Sequence, residues 1–97
     1  MDYNEITNSA PVVLVEFFAS WCPHCQKMMP IVDQVKELLG AEVPVRQFDV
    51  DKNQDLTQEA GVSGIPTFII YKNGKEVWRH SGEIDGNDLL AKVQSFQ

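Results

Sequence analysis

Cys22 and Cys25 are the only thiols in the chain, two residues apart in the stretch FFASWCPHCQK, residues 17–27. A pair at this spacing can do three things: exchange disulfides, supply half of a metal site, or act as a staple. A staple is its poorest use, because bridging the two closes a very short loop and loop-closure stabilisation grows with loop length. Structural zinc wants four ligands, usually from two pairs. Here there is one cysteine pair, with His24 inside it and His80 far along the chain. His24 cannot easily join both cysteines on one ion. An iron–sulfur cluster shared across a dimer, two cysteines from each copy, is the other metal chemistry such a pair could serve, and it is disfavoured as zinc is. The spacing itself suits reversible thiol chemistry, with no cofactor.

The elements around the pair must position it. PVVLVEFFA is apolar apart from Glu16, which reads as a buried central strand over about residues 12–18. After SWCPHC, the apolar positions Met28, Ile31, Val32, Val35, Leu38 and Leu39 recur at helical spacing, and Gly40 is a suitable stop. Pro30 falls inside this helix and is expected to kink it. Residues 2–9 fit a short helical turn, 43–50 a second strand, and NQDLTQEAGV a shorter helix ended by Gly61. Two strands flank Asn73-Gly74, a strong hairpin signal. Asp85 is a candidate N-cap for a last helix whose core face is Leu89, Leu90, Val93 and Phe96.

The predicted class is α/β, in the order β-α-β-α-β-β-α, with a mixed sheet of about four strands and helices on both faces. The first two strands, joined by a helical crossover, should be parallel. At 97 residues the chain is expected to form a single domain, residues 1–97. A net charge of −6 without a basic cluster argues against nucleic acid as a partner. The apolar runs are too short for a membrane span. The opening MDYNEITNSA lacks the cationic start and apolar middle of an export signal, so a cytoplasmic location is expected unless such a signal has been trimmed.

From about Val12 to the C-terminus the chain resembles the thioredoxin family. The matching pieces are LVEFFASWCPHC, Pro30, VSGIPTFIIYKNG and SGEIDGNDL. The resemblance implies a thioredoxin-like fold and a monomeric protein-disulfide oxidoreductase. Its implied partners are protein disulfides or dithiols and a reductase or oxidase, thioredoxin reductase-like in the cytoplasm. Four departures stand out. The residues between the cysteines are Pro23-His24, as in the DsbA family, whose helical insertion has no room here. Glu16 stands where thioredoxins usually carry Asp, as in protein disulfide isomerase domains. The neighbouring strand offers Gln47 where both families often place Lys. The usual first thioredoxin strand also has no room before Val12, which would leave strand 43–50 a bare edge guarded by Arg46.

Each residue then receives an expected role. Cys22, at the helix start, faces unpaired N–H groups and the positive dipole end, which favour its thiolate; it is the expected nucleophile. Cys25, one turn in and more buried, resolves the mixed disulfide. Pro23 is a common first-turn residue. His24 can donate to the Cys22 thiolate or carry charge beside it, which would strengthen the disulfide as an oxidant. Glu16 is expected under the motif as proton acceptor for Cys25, with a raised pKa because the familiar Lys is missing. The resemblance makes Pro66 a cis-proline beside the cysteines, with Trp21, Ile65 and Thr67 lining a substrate groove and Gly82 keeping it clear. Trp78 and His80 read as structural. Whether the chain works as reductase, oxidase or isomerase stays open, as does a binding module that keeps the fold without turnover.

Overall fold

The computed structural model describes residues 2–97. The elements run α1 (Tyr3–Thr7), β1 (Val12–Phe18), α2 (Pro23–Leu39), a 3-10 turn (Gly40–Glu42), β2 (Val45–Asp49), α3 (Gln54–Glu59), β3 (Thr67–Lys72), β4 (Lys75–Ser81) and α4 (Gly86–Ser95). The strands form one sheet in the order β2-β1-β3-β4. β1 pairs parallel with β2 and antiparallel with β3, and β3 pairs antiparallel with β4. This is the mixed thioredoxin-like arrangement.

β1 is apolar throughout because it is covered on both faces. Successive side chains alternate sides. Val12 and Leu14 pack with Met28, Val32 and Val35 of α2 and with Leu89 and Val93 of α4. Val13, Val15 and Phe17 face the other way, against Tyr3, Ile6 and Phe48. Glu16 shares the α2 side with Leu14, so the one acid of the strand lies beneath the helix that carries the cysteines. β2 is shorter than the 43–50 stretch: Val43 and Pro44 precede it, though the Pro44 carbonyl still accepts from Leu14 N–H at 3.0 Å. β2 is an edge of the sheet, and Arg46 lies 5.8 Å from the Phe48 ring centre.

α2 continues through Pro30, which sits on its exposed side, and stops at Gly40. The hairpin turns on Asn73 (φ 51°) and Gly74 (φ 81°). Two positive φ values are what the favoured two-residue turn needs to match strand twist. Asp85 caps α4 by accepting from Asn87 and Asp88 N–H at 2.9 and 3.2 Å. None of the helices among the described residues is long and apolar enough to cross a membrane.

Candidate active site

β1 ends at Phe18, and three residues later the chain enters α2 with Cys22 as its N-cap. Pro23 takes the first helical position, where its missing N–H has no helical partner in any case. Cys22 Sγ accepts from the Cys25 N–H at 3.3 Å, the capping contact normally made by a side-chain oxygen. The sulfur thus stands where helix N–H groups converge. Both cysteines are thiols and both are buried, 4% and 1% exposed, so burial separates them only slightly. Position separates them further: Cys22 caps α2 and Cys25 lies inside its first turn. Burial, together with its hydrogen bond to Cys22, pushes the Cys25 thiol up to about 12, with the Ala19 backbone acting the other way.

Glu16 is 2% exposed, between Gln47 on β2 and Phe68 on β3. Burial raises its pKa; the bond from Gln47 opposes this, and Asp33 on α2 adds to it. The charge of Glu16 is also felt at Cys25. The packing of α2 on β1 therefore brings the acid and the second thiol into electrostatic contact.

His24 has a different partner from the expected one. Its Nδ1 donates to Glu83 Oε2 at 2.5 Å, and the ring is two-thirds exposed. A carboxylate from the β4–α4 connection, absent from the sequence reading, thus holds the imidazole beside the motif. The His24 bond, more than nearby Lys27, lowers the pKa of Glu83. The connection is itself pinned. Gly82 N–H donates to the Pro66 carbonyl at 2.7 Å, and His80 Nε2 donates to the Glu83 carbonyl at 3.1 Å. His80 stacks on Trp78, ring centres 5.9 Å apart.

Trp21 is 65% exposed beside the motif, its indole N–H donating to Asp51 Oδ2 at 2.8 Å. Trp21 and Ile65 border a cavity of about 250 Å³, with Val50, Thr57, Val62 and Gly64 on its walls. The Ile65–Pro66 peptide bond is cis. Thr67 corrects the sequence expectation. It is 1% exposed and does not line the groove; as the first residue of β3 it turns inward, its hydroxyl donating to the Gly64 carbonyl at 2.5 Å and lying 2.9 Å from Ser81 Oγ. Gly82 also carries a backbone requirement of its own. A Cβ there would meet nothing within 4 Å, but φ is +100°, a conformation side chains disfavour. Among the described residues no three His, Cys, Asp or Glu side chains gather as a metal site would need.

The family model described as Thioredoxin matches residues 2–95. The chain belongs to the thioredoxin family. It is 38% identical over 90 residues to Thioredoxin Y, chloroplastic, of Oryza sativa subsp. japonica, covering 93% of this chain and 54% of that protein. It is 38% identical over 89 residues to the thioredoxin of Chlamydia muridarum, covering 89% of this chain and 83% of that one. The chain spans about half the length of the first curated relatives it matches. A mutant thioredoxin from Halobacterium salinarum NRC-1 superposes with a TM-score of 0.86 at 33% identity, over 96% of this chain and 80% of that one. Within the thioredoxin fold, Asp51, Glu83, Val50, Thr57 and Val62 are site neighbours that sequence reading missed. Each reaches the motif from another loop or helix, and no local pattern marks such a contact.

Proposed function

We propose that this thioredoxin-family chain is a thiol–disulfide oxidoreductase acting on protein substrates. The observation that carries the reading is the unlike pair at the start of α2: Cys22 Sγ caps the helix, while the Cys25 thiol is pushed up to about 12. A nucleophile needs thiolate character, which a helix N-terminus favours. A resolving thiol is best kept neutral until the mixed disulfide has formed.

In the reducing direction Cys22 thiolate attacks one sulfur of a substrate disulfide. The Cys22–substrate bond forms and the substrate's other sulfur leaves as a thiolate. Glu16 then takes the Cys25 proton through water. Cys25 attacks Cys22 Sγ, the mixed disulfide breaks, and the substrate leaves with both its sulfurs reduced while Cys22–Cys25 is oxidised. The reverse sequence oxidises a dithiol. Trp21 and Ile65 form the docking face beside the cis Ile65–Pro66 bond, with the exposed indole and the adjacent cavity receiving an extended substrate segment. Electrons come from a reductase-like donor in a reducing compartment.

His24 and Pro23 favour a more oxidising pair than in thioredoxin itself. Thioredoxin and DsbA lie near about −270 and −120 mV, a gap of roughly 7 kcal/mol, and the potential here is placed between them. The same feature supports a second reading, an oxidase or isomerase for folding chains; compartment poise decides the direction. Reduction of insulin by dithiothreitol tests the activity: wild-type protein should accelerate it, and no acceleration would turn the reading into a binding module. Equilibration with glutathione tests the potential: a value at or below that of thioredoxin, or no fall on His24→Pro, would sink the role of His24.

A further inference from the structure

Glu83 is a charged group at the site that the exchange chemistry leaves unused. It belongs to no helix or strand, and it lies near the start of α2, where it meets His24 and feels Lys27. Its place is not left to chance. Gly82 is tied to the Pro66 carbonyl, the Glu83 carbonyl is tied to the His80 ring, and that ring is stacked on Trp78. A backbone fixed at both residues delivers the carboxylate to His24 Nδ1.

We propose that Glu83 is a positioning residue that strengthens the Cys22–Cys25 disulfide as an oxidant by holding His24. The inference rests on the reading that His24 tunes the potential. The physical argument concerns tautomers. With Nδ1–H committed to a carboxylate, the neutral ring has only a lone pair at Nε2, and it can donate there only as imidazolium. The imidazolium in turn stabilises the thiolate formed when the disulfide is reduced, and a stabilised reduced form is a stronger oxidant. Glu83 holds the imidazole of the residue that lies between the two cysteines, the logic of an orienting acid behind a histidine, here serving equilibrium rather than base catalysis. Both side chains are substantially exposed, so the effect is modest, as surface ion pairs are.

The test compares wild type, Glu83→Gln, His24→Ala and the double variant, each equilibrated with reduced and oxidised glutathione and read by alkylation and mass spectrometry. Gln keeps an acceptor for Nδ1 but removes the charge. The expected result is about a threefold fall in the oxidised protein's equilibrium constant with glutathione for Glu83→Gln. That is about 14 mV, given that tenfold is about 30 mV for two electrons. Adding Glu83→Gln to His24→Ala should cause no further fall. An unchanged or raised constant for Glu83→Gln while His24→Ala lowers it overturns the inference and leaves the His24 reading standing. An equal fall in both backgrounds also overturns it, because Glu83 would then act without His24. No shift in any variant removes the His24 reading itself.

Discussion

Gln47 Nε2 donates to Glu16 Oε1 across 2.9 Å, between residues directly paired on parallel strands β2 and β1. The buried acid beneath the redox helix thus leans on a neutral amide. A neutral donor eases the burial of a carboxylate without supplying charge, and the pKa of Glu16 stays raised, with burial as the largest cause.

Glu16→Gln should therefore make the protein more stable at alkaline pH and leave it unchanged in acid. The folded pKa lies above the unfolded one, so the native state holds its proton more tightly. Its contribution is complete below the unfolded value, about 4.3, and is lost as pH rises through the folded value. Gln stays neutral throughout and keeps a bonding partner for Gln47. Melting at pH 8 and pH 4 checks this: each kcal/mol gained should appear as about 4–8 °C in Tm for a chain of this size. An equal difference at both pH values would mean packing, not ionisation.

The same substitution should slow resolution. If Glu16 takes the Cys25 proton, Gln removes the acceptor, and a loss of about 100-fold is the lower end for positioned proton transfer. Rapid-quench trapping of the mixed disulfide measures that step alone. Cys25→Ser should accumulate this intermediate with a disulfide substrate, whereas Cys22→Ser should form none.

The two thiols should also react unequally with iodoacetamide. Cys25, pushed up to about 12, holds almost no thiolate at neutral pH. Peptide mapping after brief alkylation at pH 7 should find the label on Cys22. Cys25 labelling in the same protein should climb steadily with pH toward 12; a plateau near pH 8 would refute the assigned burial effect.

The residues show why part of this was legible in sequence. Val12–Phe18 reads as a central strand because both its faces are covered, and Asn73-Gly74 reads as a hairpin because few other pairs accept two positive φ values. Cys22, Cys25 and Glu16 lie within ten residues, so local pattern joins them. Glu83 meets His24 across 59 positions of chain and Asp51 meets Trp21 across 30, and neither contact leaves a mark at either end. Thr67 follows the cis peptide directly, which suggests a groove position in sequence; strand alternation, which begins at that very residue, sends its hydroxyl inward.

Gly82 and Gly64 separate conformation from clearance. A Cβ meets nothing within 4 Å at either position, but only Gly82 has positive φ, at +100°. Gly82→Ala should cost about 1–3 kcal/mol, the range for a residue held in a sparsely populated region, and Gly64→Ala should be near neutral. Urea unfolding of the two variants decides it, and equal losses would place the requirement of Gly82 elsewhere.

Gln47→Lys should change how the buried acid works. Strand pairing sets position 47 opposite Glu16, and Gln47 is exposed along the rest of its length, so a lysine stem can lie on the surface and still bring its ammonium to the carboxylate. An opposite charge at that distance favours the ionised form, against the burial that now raises the pKa. The acceptor would then be ionised at lower pH, and the acidic limb of the resolution rate should move down the pH scale. Once ionised, the acid would also be a weaker base, so the plateau rate should fall. Isotope-edited infrared spectra of the Glu16 carboxyl follow the ionisation directly, and stopped-flow resolution rates follow its consequence. If the carboxyl band shifts and the rate profile does not, Glu16 is not the group that takes the proton from Cys25.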